Sequence, residues 1–234
     1  EKAIYGVGGG ITWDSTWESE YREVHQKSAV LYRKQARFQL ITTGKISQKS
    51  LLFEEQHLER LTKASRYFAY PFDPKNLRQK IEAECRACDS HQDYRLRISL
   101  SKSGEIELSR QILTPLSPSF CKAKLCLQEA DLNQSFTYFK TTHRPHLSLG
   151  EQEKIYHNKS GELLETSIGN LVLKIAGKFY TPPIRLGILP GIYRQHLLET
   201  GQAEEKVLTL ADLNQAETIY GCNAVRGLYE LKVI

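Results

Sequence analysis

Apolar and polar residues follow two different periods along this chain, and the change of period marks its predicted elements. From Thr16 to Leu31 the apolar residues recur at helical intervals after a Thr/Ser cap, with acidic residues early and basic residues late. This pattern predicts a helix. In front of it, extended runs at residues 2–7 and 11–13 flank Gly8-Gly9-Gly10 and predict two short strands joined by a glycine bend.

From residue 37 onward, strand-like and helix-like segments alternate, which predicts an α/β (α+β) fold class. The predicted helices cover residues 54–68, 76–88 and 192–200. The predicted strands cover residues 38–43, 94–100, 105–108, 123–127, 154–157, 170–175 and 178–180, with a terminal strand after residue 225.

Two prolines, Pro115 and Pro118, indicate a linker inside this region. We therefore predict three parts: an N-terminal segment of residues 1–36, a small α/β domain of residues 37–117 and a larger domain of residues 118–234.

The composition is that of a soluble globular protein: 234 residues, 40% hydrophobic and 25% charged. No window approaches the roughly 18 to 20 apolar residues of a membrane span, and the start, Glu1-Lys-Ala-Ile-Tyr5, lacks the charged-then-apolar order of a signal peptide. These features predict a cytoplasmic protein that does not bind a membrane. The absence of Met favours a fragment of a longer chain, unless modified methionines are missing from the sequence.

The charge balance narrows the class of ligand. There are 32 Lys and Arg residues against 27 Asp and Glu, a net charge of +5, with no run of like charge. Proteins that bind nucleic acid usually concentrate basic residues in a stripe with interleaved aromatic residues, so the scattered charges favour a small anionic ligand and no nucleic acid.

The five cysteines predict reduced thiols, because their number is odd and their spacing is not that of a secreted disulfide framework. Cys85 and Cys88 form a single CxxC, and only His91 lies near them in sequence. A structural zinc site needs a second pair or a Cys/His couple. We therefore predict no metal site.

Four features together indicate an anionic cofactor site, and the first two are a lysine and a glycine turn. Lys140 follows the aromatic stretch 136–139, where desolvation would lower its pKa and prepare the amine to form a Schiff base. A surface lysine along an apolar strand is the ordinary alternative. The turn 187–191 directly precedes Ile192 and Tyr193, so free backbone N–H groups could bind phosphate there; a plain Pro/Gly helix entry is the alternative.

The other two features are charged residues among apolar neighbours. Glu165 lies between apolar segments and could face a ring nitrogen, although a lone glutamate is more often solvated. Arg60 lies on a predicted helix with apolar neighbours and could reach inward to a phosphate, or it could form an ordinary surface pair with a glutamate.

Together these features match one family pattern. Residues 37–234 resemble the class IV (fold type IV) pyridoxal-phosphate enzymes, and Lys140-Thr-Thr-His-Arg144 makes them most similar to the aminodeoxychorismate lyases. Branched-chain aminotransferases typically show a Gly-Asn-Tyr element there. The other matching motifs are His57-Leu-Glu-Arg60-Leu61, Glu165-Thr-Ser-Ile-Gly-Asn170, Gly187-Ile-Leu-Pro-Gly-Ile-Tyr-Arg194 and Cys222-Asn-Ala-Val-Arg226.

This resemblance implies a two-domain fold like that of the D-amino-acid and branched-chain aminotransferases, a cofactor in the cleft between the domains, and a homodimer. It implies pyridoxal 5′-phosphate held covalently by Lys140, with Glu165 keeping the pyridine nitrogen protonated. The residues implied to hold the phosphate are Arg60, Ile192, Tyr193, Asn223 and Ala224. The implied reaction converts 4-amino-4-deoxychorismate to 4-aminobenzoate and pyruvate in folate biosynthesis, with Lys140 removing the proton at the amine-bearing carbon.

The resemblance also implies residues that act on the substrate. Thr42 or Thr43 matches the position of a hydroxyl that assists protonation of the leaving group, although a buried strand threonine is the commoner situation. Arg226 and Arg97 would bind the two carboxylates of the substrate, and Arg97 could equally be an exposed cross-strand residue.

The first 36 residues resemble a different family. Gly8-Gly-Gly-Ile-Thr-Trp-Asp14-Ser15 and the acidic helix that follows are similar to the C-terminal end of the chorismate-binding domain of aminodeoxychorismate and anthranilate synthases. The resemblance implies that Glu23 is a magnesium ligand and that Lys27 lies near chorismate. It also implies a bifunctional para-aminobenzoate synthase fusion, whose full-length form would have a glutamine amidotransferase subunit as its partner.

Two other functions stay open at this point. The same cofactor residues serve amino-acid aminotransferases for branched-chain or D-amino acids, because they do not distinguish elimination from transamination. A non-catalytic partner domain is the third reading, since Pro145 directly after Arg144, and Thr42 where many relatives carry an acid, depart from the family pattern.

Overall fold

The computed structural model describes residues 4–32, 36–128, 134–148 and 150–234. The chain divides into two compact units, Glu1–Arg37 and Phe38–Ile234. In the first unit, α1 covers Trp17–Tyr32, which confirms the predicted helix. Thr16 caps it, because its hydroxyl accepts a hydrogen bond from the Ser19 N–H at 3.2 Å.

The two strands predicted before α1 are wrong for the described residues. Residues 4–16 contain a turn and no strand, and Lys2 and Ala3 lie outside the described residues. A two-stranded hairpin is marginal in water without a further strand or a helix to cover it, and the three consecutive glycines, Gly8 to Gly10, add no side chains to pack.

The second unit begins with a four-stranded antiparallel sheet in the order β2-β1-β3-β4. Two helices, α2 and α3, contribute to the core of this sheet. The strands are β1 (Leu40–Ser47), β2 (Ser50–Leu51), β3 (Tyr94–Leu100) and β4 (Ile106–Ile112), and the helices are α2 (Glu54–Phe68) and α3 (Pro74–Arg86).

Helix α2 buries one stripe of its surface, which carries His57, Leu58, Leu61 and Ala64. Helix α3 begins at Pro74, two residues before the predicted start, because the side chain of Asp73 caps it. A proline is tolerated at this first helical position, where its missing N–H has no intrahelical partner.

The rest of the second unit is an eight-stranded mixed sheet in the order β10-β9-β8-β11-β12-β5-β6-β7. Its strands are β5 (Lys122–Leu127), β6 (Glu153–His157), β7 (Leu163–Thr166), β8 (Asn170–Ile175), β9 (Lys178–Thr181), β10 (Glu204–Glu205), β11 (Thr218–Asn223) and β12 (Gly227–Val233). Its helices are α4 (Gln134–Tyr138), α5 (Ile192–Glu199) and α6 (Leu210–Gln215), with a 3₁₀ turn at Ile184–Leu186.

Strand β7 stands last in this order, and it makes an additional pairing with β8, which stands third. Strand β7 pairs with β6 on one side and with β8 on the other, and in the β8 pairing Glu165 lies opposite Asn170. The short turn 167–169 joins β7 and β8, so the sheet turns back on itself at this hairpin.

Most predicted elements of the second unit are confirmed, and several observed elements, among them β7 and α4, were missed. All four residues of β7 are buried, so the strand lacks the alternation by which a sequence reveals a half-buried strand. Helix α4 is a single turn that includes Phe136 and Tyr138, residue types that favour strands.

The two sheets are built from separate parts of the chain. The first sheet ends at Ile112 and the second begins at Lys122, so the boundary predicted at residues 117 and 118 falls between them. Within the described ranges, no helix has the length and apolar character that crossing a membrane requires.

Candidate active site

A cavity of about 450 Å³ lies between the two sheets of the second unit. This volume is typical of a site for a small organic ligand. Most of the site residues predicted from the sequence line it: Arg60, Arg97, Lys140, Glu165, Ile192, Asn223, Ala224 and Arg226.

Lys140 is positioned by the edge of β1. Its carbonyl oxygen accepts a hydrogen bond from the Ile41 N–H at 2.9 Å, and Thr141 forms a bridge with Leu40. Burial lowers the pKa of the Lys140 amine well below its usual value, and the nearby guanidinium groups, Arg60 first among them, lower it further. This shift favours the neutral, nucleophilic form of the amine.

Glu165 lies on the buried strand β7, with its side chain 3% exposed. Burial raises its pKa to about 7, although the Arg144 guanidinium, 3.6 Å from Oε2, and a hydrogen bond from the Leu189 backbone act in the opposite direction. Its Oε1 atom has no hydrogen-bond partner among the described residues. A buried carboxyl oxygen without a partner costs free energy, so this atom is placed for a donor from a ligand.

The surroundings of Glu165 are positively charged or neutral. Nε and Nη2 of Arg144 are buried and make no hydrogen bond within the described chain. His146 Nε2 lies 3.9 Å from Glu165 Oε1, and burial lowers the pKa of His146 to about 4, so this imidazole is neutral near pH 7.

The end of the cavity near α5 is suited to an anion. Gly191 precedes the helix, and no side chain caps it, so the first N–H groups at Ile192 and Tyr193 have no intrahelical partner. Arg60 donates from Nη2 to the Pro190 carbonyl oxygen at 2.8 Å, which holds its guanidinium beside this helix start. Burial and the neighbouring Arg144 lower the pKa of Arg60 to about 10, so it stays charged near neutral pH.

The turn between β11 and β12 adds the predicted Asn223–Ala224 segment. The Asn223 side-chain oxygen accepts hydrogen bonds from the Val225 and Arg226 N–H groups at 3.0 and 2.9 Å. These hydrogen bonds fix the conformation of the turn, whose residues 223–226 line the cavity.

Three further arginines, Arg95, Arg97 and Arg226, form what we call the arginine group. Arg95 and Arg97 lie on β3 and Arg226 lies after β11, and all three line the cavity. Burial and the charge of Arg97 lower the pKa of Arg95, and burial and the charge of Arg95 lower the pKa of Arg226. Like charges held this close favour an anionic ligand between them.

Thr42 does not line the cavity, and this corrects its predicted place there. Its side chain is fully buried, and its hydroxyl lies 2.6 Å from His57 Nδ1 on α2. Adjacent residues of a strand face opposite ways, so Thr43 lines the cavity instead. The Tyr193 side chain also lies away from the lining residues and packs against Phe53.

Among the polar lining residues that the prediction omitted are Arg95, Arg144 and Asn170. Arg144 and Asn170 stand in the quoted motifs, at the ends of Lys140-Thr-Thr-His-Arg144 and Glu165-Thr-Ser-Ile-Gly-Asn170. Arg95 lies two residues before Arg97, and the period of a strand puts both on one face. Within the part of the chain that the structure describes, there is no group of three His, Cys, Asp or Glu residues able to hold a metal ion.

Comparison with known proteins gives a family match over most of the chain. A family model described as amino-transferase class IV matches residues 39–234. A Saccharomyces cerevisiae protein named aminodeoxychorismate lyase is 27% identical, and the match covers 59% of this chain and 51% of that protein. An uncharacterized Haemophilus influenzae protein is 29% identical over 52% of this chain and 61% of its own length. The chain thus spans about half to three fifths of these curated relatives.

Solved structures show the same fold. A Mesorhizobium loti protein provisionally described as an amino-acid aminotransferase superposes with a TM-score of 0.73 at 27% identity, covering 84% of this chain and all of that one (100%). A Haemophilus somnus protein provisionally described as a 4-amino-4-deoxychorismate lyase gives a TM-score of 0.65 at 24% identity, with coverages of 83% and 100%.

Proposed function

The chain belongs to the class IV aminotransferase family, and from this premise we propose that it is a pyridoxal-phosphate-dependent lyase. The proposed reaction converts 4-amino-4-deoxychorismate to 4-aminobenzoate and pyruvate. The observation that carries this choice is the arginine group, which lines the same cavity as Lys140 and is suited to a substrate with two carboxylates. The yeast relative named as this lyase supports the choice.

The residues of the cavity fit the proposed cofactor. A phosphate group matches the uncapped start of α5 and the guanidinium of Arg60, and a reactive aldehyde matches the Lys140 amine, whose pKa burial lowers. A ring nitrogen that carries a proton matches the buried Glu165, whose Oε1 lacks a donor. The bound group would supply an electron sink for the bond broken at the amine-bearing carbon.

Each of these cavity residues would then have a defined role. Arg60, the N–H groups at Ile192 and Tyr193, and the turn at Asn223–Ala224 would hold the phosphate. Glu165 would hold a proton at the ring nitrogen. The freed Nζ of Lys140 would take the proton from the amine-bearing carbon of the substrate, as a base whose pKa is lowered by burial and by the neighbouring arginines.

The arginine group would orient the substrate. Two carboxylates of 4-amino-4-deoxychorismate can pair with Arg97 and Arg226, and Arg95 lies close enough to lower the pKa of Arg226. Thr43, whose side chain lines the cavity, takes the place first considered for Thr42 as the hydroxyl near the leaving group. An apolar amino acid carries a single carboxylate, so an aminotransferase for such substrates would leave part of the arginine group without a substrate partner.

We extend the proposal to the N-terminal unit, whose synthase-like motifs support a bifunctional fusion. In this unit Lys27 contacts Glu23 at 2.5 Å and donates to the Gly8 carbonyl oxygen at 2.9 Å, so three of the residues that carry the resemblance lie together. A homodimer, a glutamine amidotransferase subunit as partner and a cytoplasmic location complete the proposal. All five cysteines are free thiols, which is consistent with a reducing compartment.

The first test asks whether Lys140 carries the cofactor. Purified protein is mixed with pyridoxal 5′-phosphate, its visible spectrum is recorded, and the mixture is reduced with borohydride and mapped by peptide mass. We expect a visible band that reduction removes and a label on Lys140. Lys140→Ala should lose both, whereas Lys63→Ala should keep both, because Lys63 is exposed on α2 and pairs with Glu59.

The second test separates the lyase from an aminotransferase. Formation of 4-aminobenzoate is followed with and without a keto acid. A lyase needs no keto acid, so the rates should be equal, and Lys140→Ala should form no product. Product formation that requires a keto acid would replace the lyase with an aminotransferase. A protein that neither binds the cofactor nor forms product would support the non-catalytic partner domain.

A further inference from the structure

The backbone of Leu189 is held from both sides by the hairpin that carries Glu165. The Asn170 side chain donates from Nδ2 to the Leu189 carbonyl oxygen at 2.8 Å. The Leu189 N–H, in turn, donates to the carboxyl group of Glu165. Glu165 and Asn170 lie opposite each other where β7 pairs with β8. Two neighbouring side chains thus bind the donor and the acceptor of one residue.

Leu189 begins the turn that leads into α5. Pro190 follows it and accepts the hydrogen bond from Arg60, and Gly191 and Ile192, at the start of the helix, line the cavity. Hydrogen bonds therefore hold this turn at two adjacent carbonyl oxygens. Asn170 donates to that of Leu189, and Arg60 donates to that of Pro190. A shift of this turn would move the anion-binding helix start with it.

Gly191 gives independent support for the importance of this arrangement. Its backbone angles, φ −69° and ψ 139°, are open to any residue, so the glycine is not needed for its conformation. A Cβ atom at this position would, however, lie only 1.8 Å from Oδ1 of Asn170. The glycine is therefore needed for space, and the space is filled by the Asn170 amide, which is itself 2% exposed.

Asn170 also pairs with the third part of the site. In the pairing of β8 with β11 it lies opposite Cys222, directly before the Asn223–Ala224 turn. Its strand thus stands between the carboxyl group of Glu165 and this turn, and its side chain reaches the start of α5.

We infer that Asn170 is a positioning residue that couples Glu165 to the anion-binding start of α5 through the backbone of Leu189. The inference rests on the proposed function for the identity of the ligand, but the coupling is a property of the chain itself. Without the Asn170 amide, the Leu189 carbonyl oxygen loses its buried donor. The turn before α5 and the carboxyl group of Glu165 then both lose the contacts that hold them in place.

The first test uses the cofactor-free protein. Amide hydrogen exchange is followed in peptides that cover residues 189–195 in the parent, in Asn170→Ala and in Asn170→Asp, which keeps the side-chain shape but replaces the donor with an acceptor. We expect exchange in this segment to rise about fivefold to tenfold in both variants, the effect of losing one buried hydrogen bond.

Thr181→Val is the matched control. The Thr181 hydroxyl is fully buried and donates to the Leu171 carbonyl oxygen at 2.8 Å, so its loss removes the same kind of bond from the same sheet. This variant should lower the melting temperature by a similar amount and leave exchange in residues 189–195 unchanged.

The second test compares pyridoxal 5′-phosphate with pyridoxal, which lacks the phosphate. In the parent the phosphate should strengthen binding, and Asn170→Ala should reduce that preference about tenfold, because the helix start is displaced. In the same variant the midpoint of the pH titration of the bound visible band should change, because Glu165 loses the Leu189 N–H. Thr181→Val should change neither quantity.

The outcomes separate this inference from the proposed function. Unchanged exchange in residues 189–195 of both Asn170 variants would overturn the coupling, whatever the ligand proves to be. Faster exchange together with a parent that does not bind pyridoxal 5′-phosphate would support the coupling and overturn the proposed cofactor. If Asn170→Ala kept the parent's preference for pyridoxal 5′-phosphate over pyridoxal, Asn170 would be an ordinary core residue with no positioning role.

Discussion

The two walls of the cavity carry charge in different ways. The first wall consists of lining residues from the four-stranded sheet and α2, among them Thr43, Arg60, Arg95 and Arg97. The second wall consists of lining residues from position 140 onward. Among the described lining residues, the only carboxylate is Glu165, and it lies on this second wall.

Burial acts differently on an arginine of the first wall and on two groups of the second wall. An arginine remains charged near neutral pH even after burial lowers its pKa, as it does for Arg60. The same burial moves Lys140 and Glu165 toward their neutral forms. The comparison teaches that the first wall offers an anion only arginine cations, whereas the second wall adds to its arginines, Arg144 and Arg226, two groups that burial moves toward their neutral forms.

The largest expected effect comes from removing the single carboxylate of the second wall. We expect Glu165→Gln to reduce the rate of 4-aminobenzoate formation by about a hundredfold or more, the scale found when a preorganised electrostatic partner is lost. Steady-state kinetics with saturating cofactor measure this. Glu199→Gln, on the exposed side of α5, should leave the rate unchanged. Equal rates for Glu165→Gln and Glu199→Gln would mean that Glu165 takes no part in the reaction.

The same carboxyl group should make the stability of the cofactor-free protein depend on pH. Its folded pKa of about 7 exceeds the ordinary value of 4.5 for a glutamate, so the folded state binds the proton more tightly than the unfolded state. The contribution to stability is therefore full below pH 4.5 and is lost as the pH rises through 7.

Urea unfolding at pH 5 and pH 8 measures this dependence. Relative to the parent, Glu165→Gln should become more stable at pH 8 than at pH 5, by up to about 3 kcal/mol, since one pKa unit corresponds to about 1.4 kcal/mol. Other titrating groups are common to both proteins and cancel in the difference. A difference that does not change with pH would mean that Glu165 is already ionised in the folded protein.

On the first wall, a single arginine should affect binding more than turnover. We expect Arg97→Ala to raise the KM for the aminodeoxychorismate substrate about tenfold and to change kcat much less, because a carboxylate pairing is present in the bound substrate as well as in the transition state. Arg86→Ala, an exposed arginine paired with Glu82, is the control. A fall in kcat with an unchanged KM would instead assign Arg97 to the chemistry.

The smallest effects are expected at Thr42 and Thr43, two adjacent residues of β1 whose side chains face opposite sides of the strand. Thr42→Val should lower the free energy of unfolding by about 1 to 2 kcal/mol, because it leaves the fully buried His57 without its partner at 2.6 Å. Thr43→Val should have a smaller effect on stability and reduce product formation severalfold. A larger loss of product formation in Thr42→Val than in Thr43→Val would mean that the Thr42 hydroxyl, and not that of Thr43, faces the cavity.

Much of the fold was predictable, since long amphipathic elements carry their pattern in the sequence. Helices α1 and α2 were predicted with nearly their observed limits, because apolar residues recur at helical intervals along each of them. Strand β7 was not predicted, because a strand buried on both faces shows no alternation. The strands predicted before α1 failed for a different reason, as no neighbouring strand stabilises them.

The site was predictable to the extent that its residues stand in motifs. Lys140, Glu165, Arg60 and the turn before α5 were named from the sequence, and the structure brings them to one cavity. Asn170 stands in the same motif as Glu165, but nothing in the sequence indicates that its side chain reaches Leu189. That contact joins a strand to a turn of a later segment, so it depends on how the sheet turns back at β7.

The sequence by itself determined the residue types of the site, their order along the chain and most of the elements that carry them. The tertiary structure alone decided which threonine faces the cavity, which arginines gather there and which groups change their protonation. The reason is physical: an element forms from residues close in sequence, whereas burial and the distance between charges depend on segments far apart in the chain.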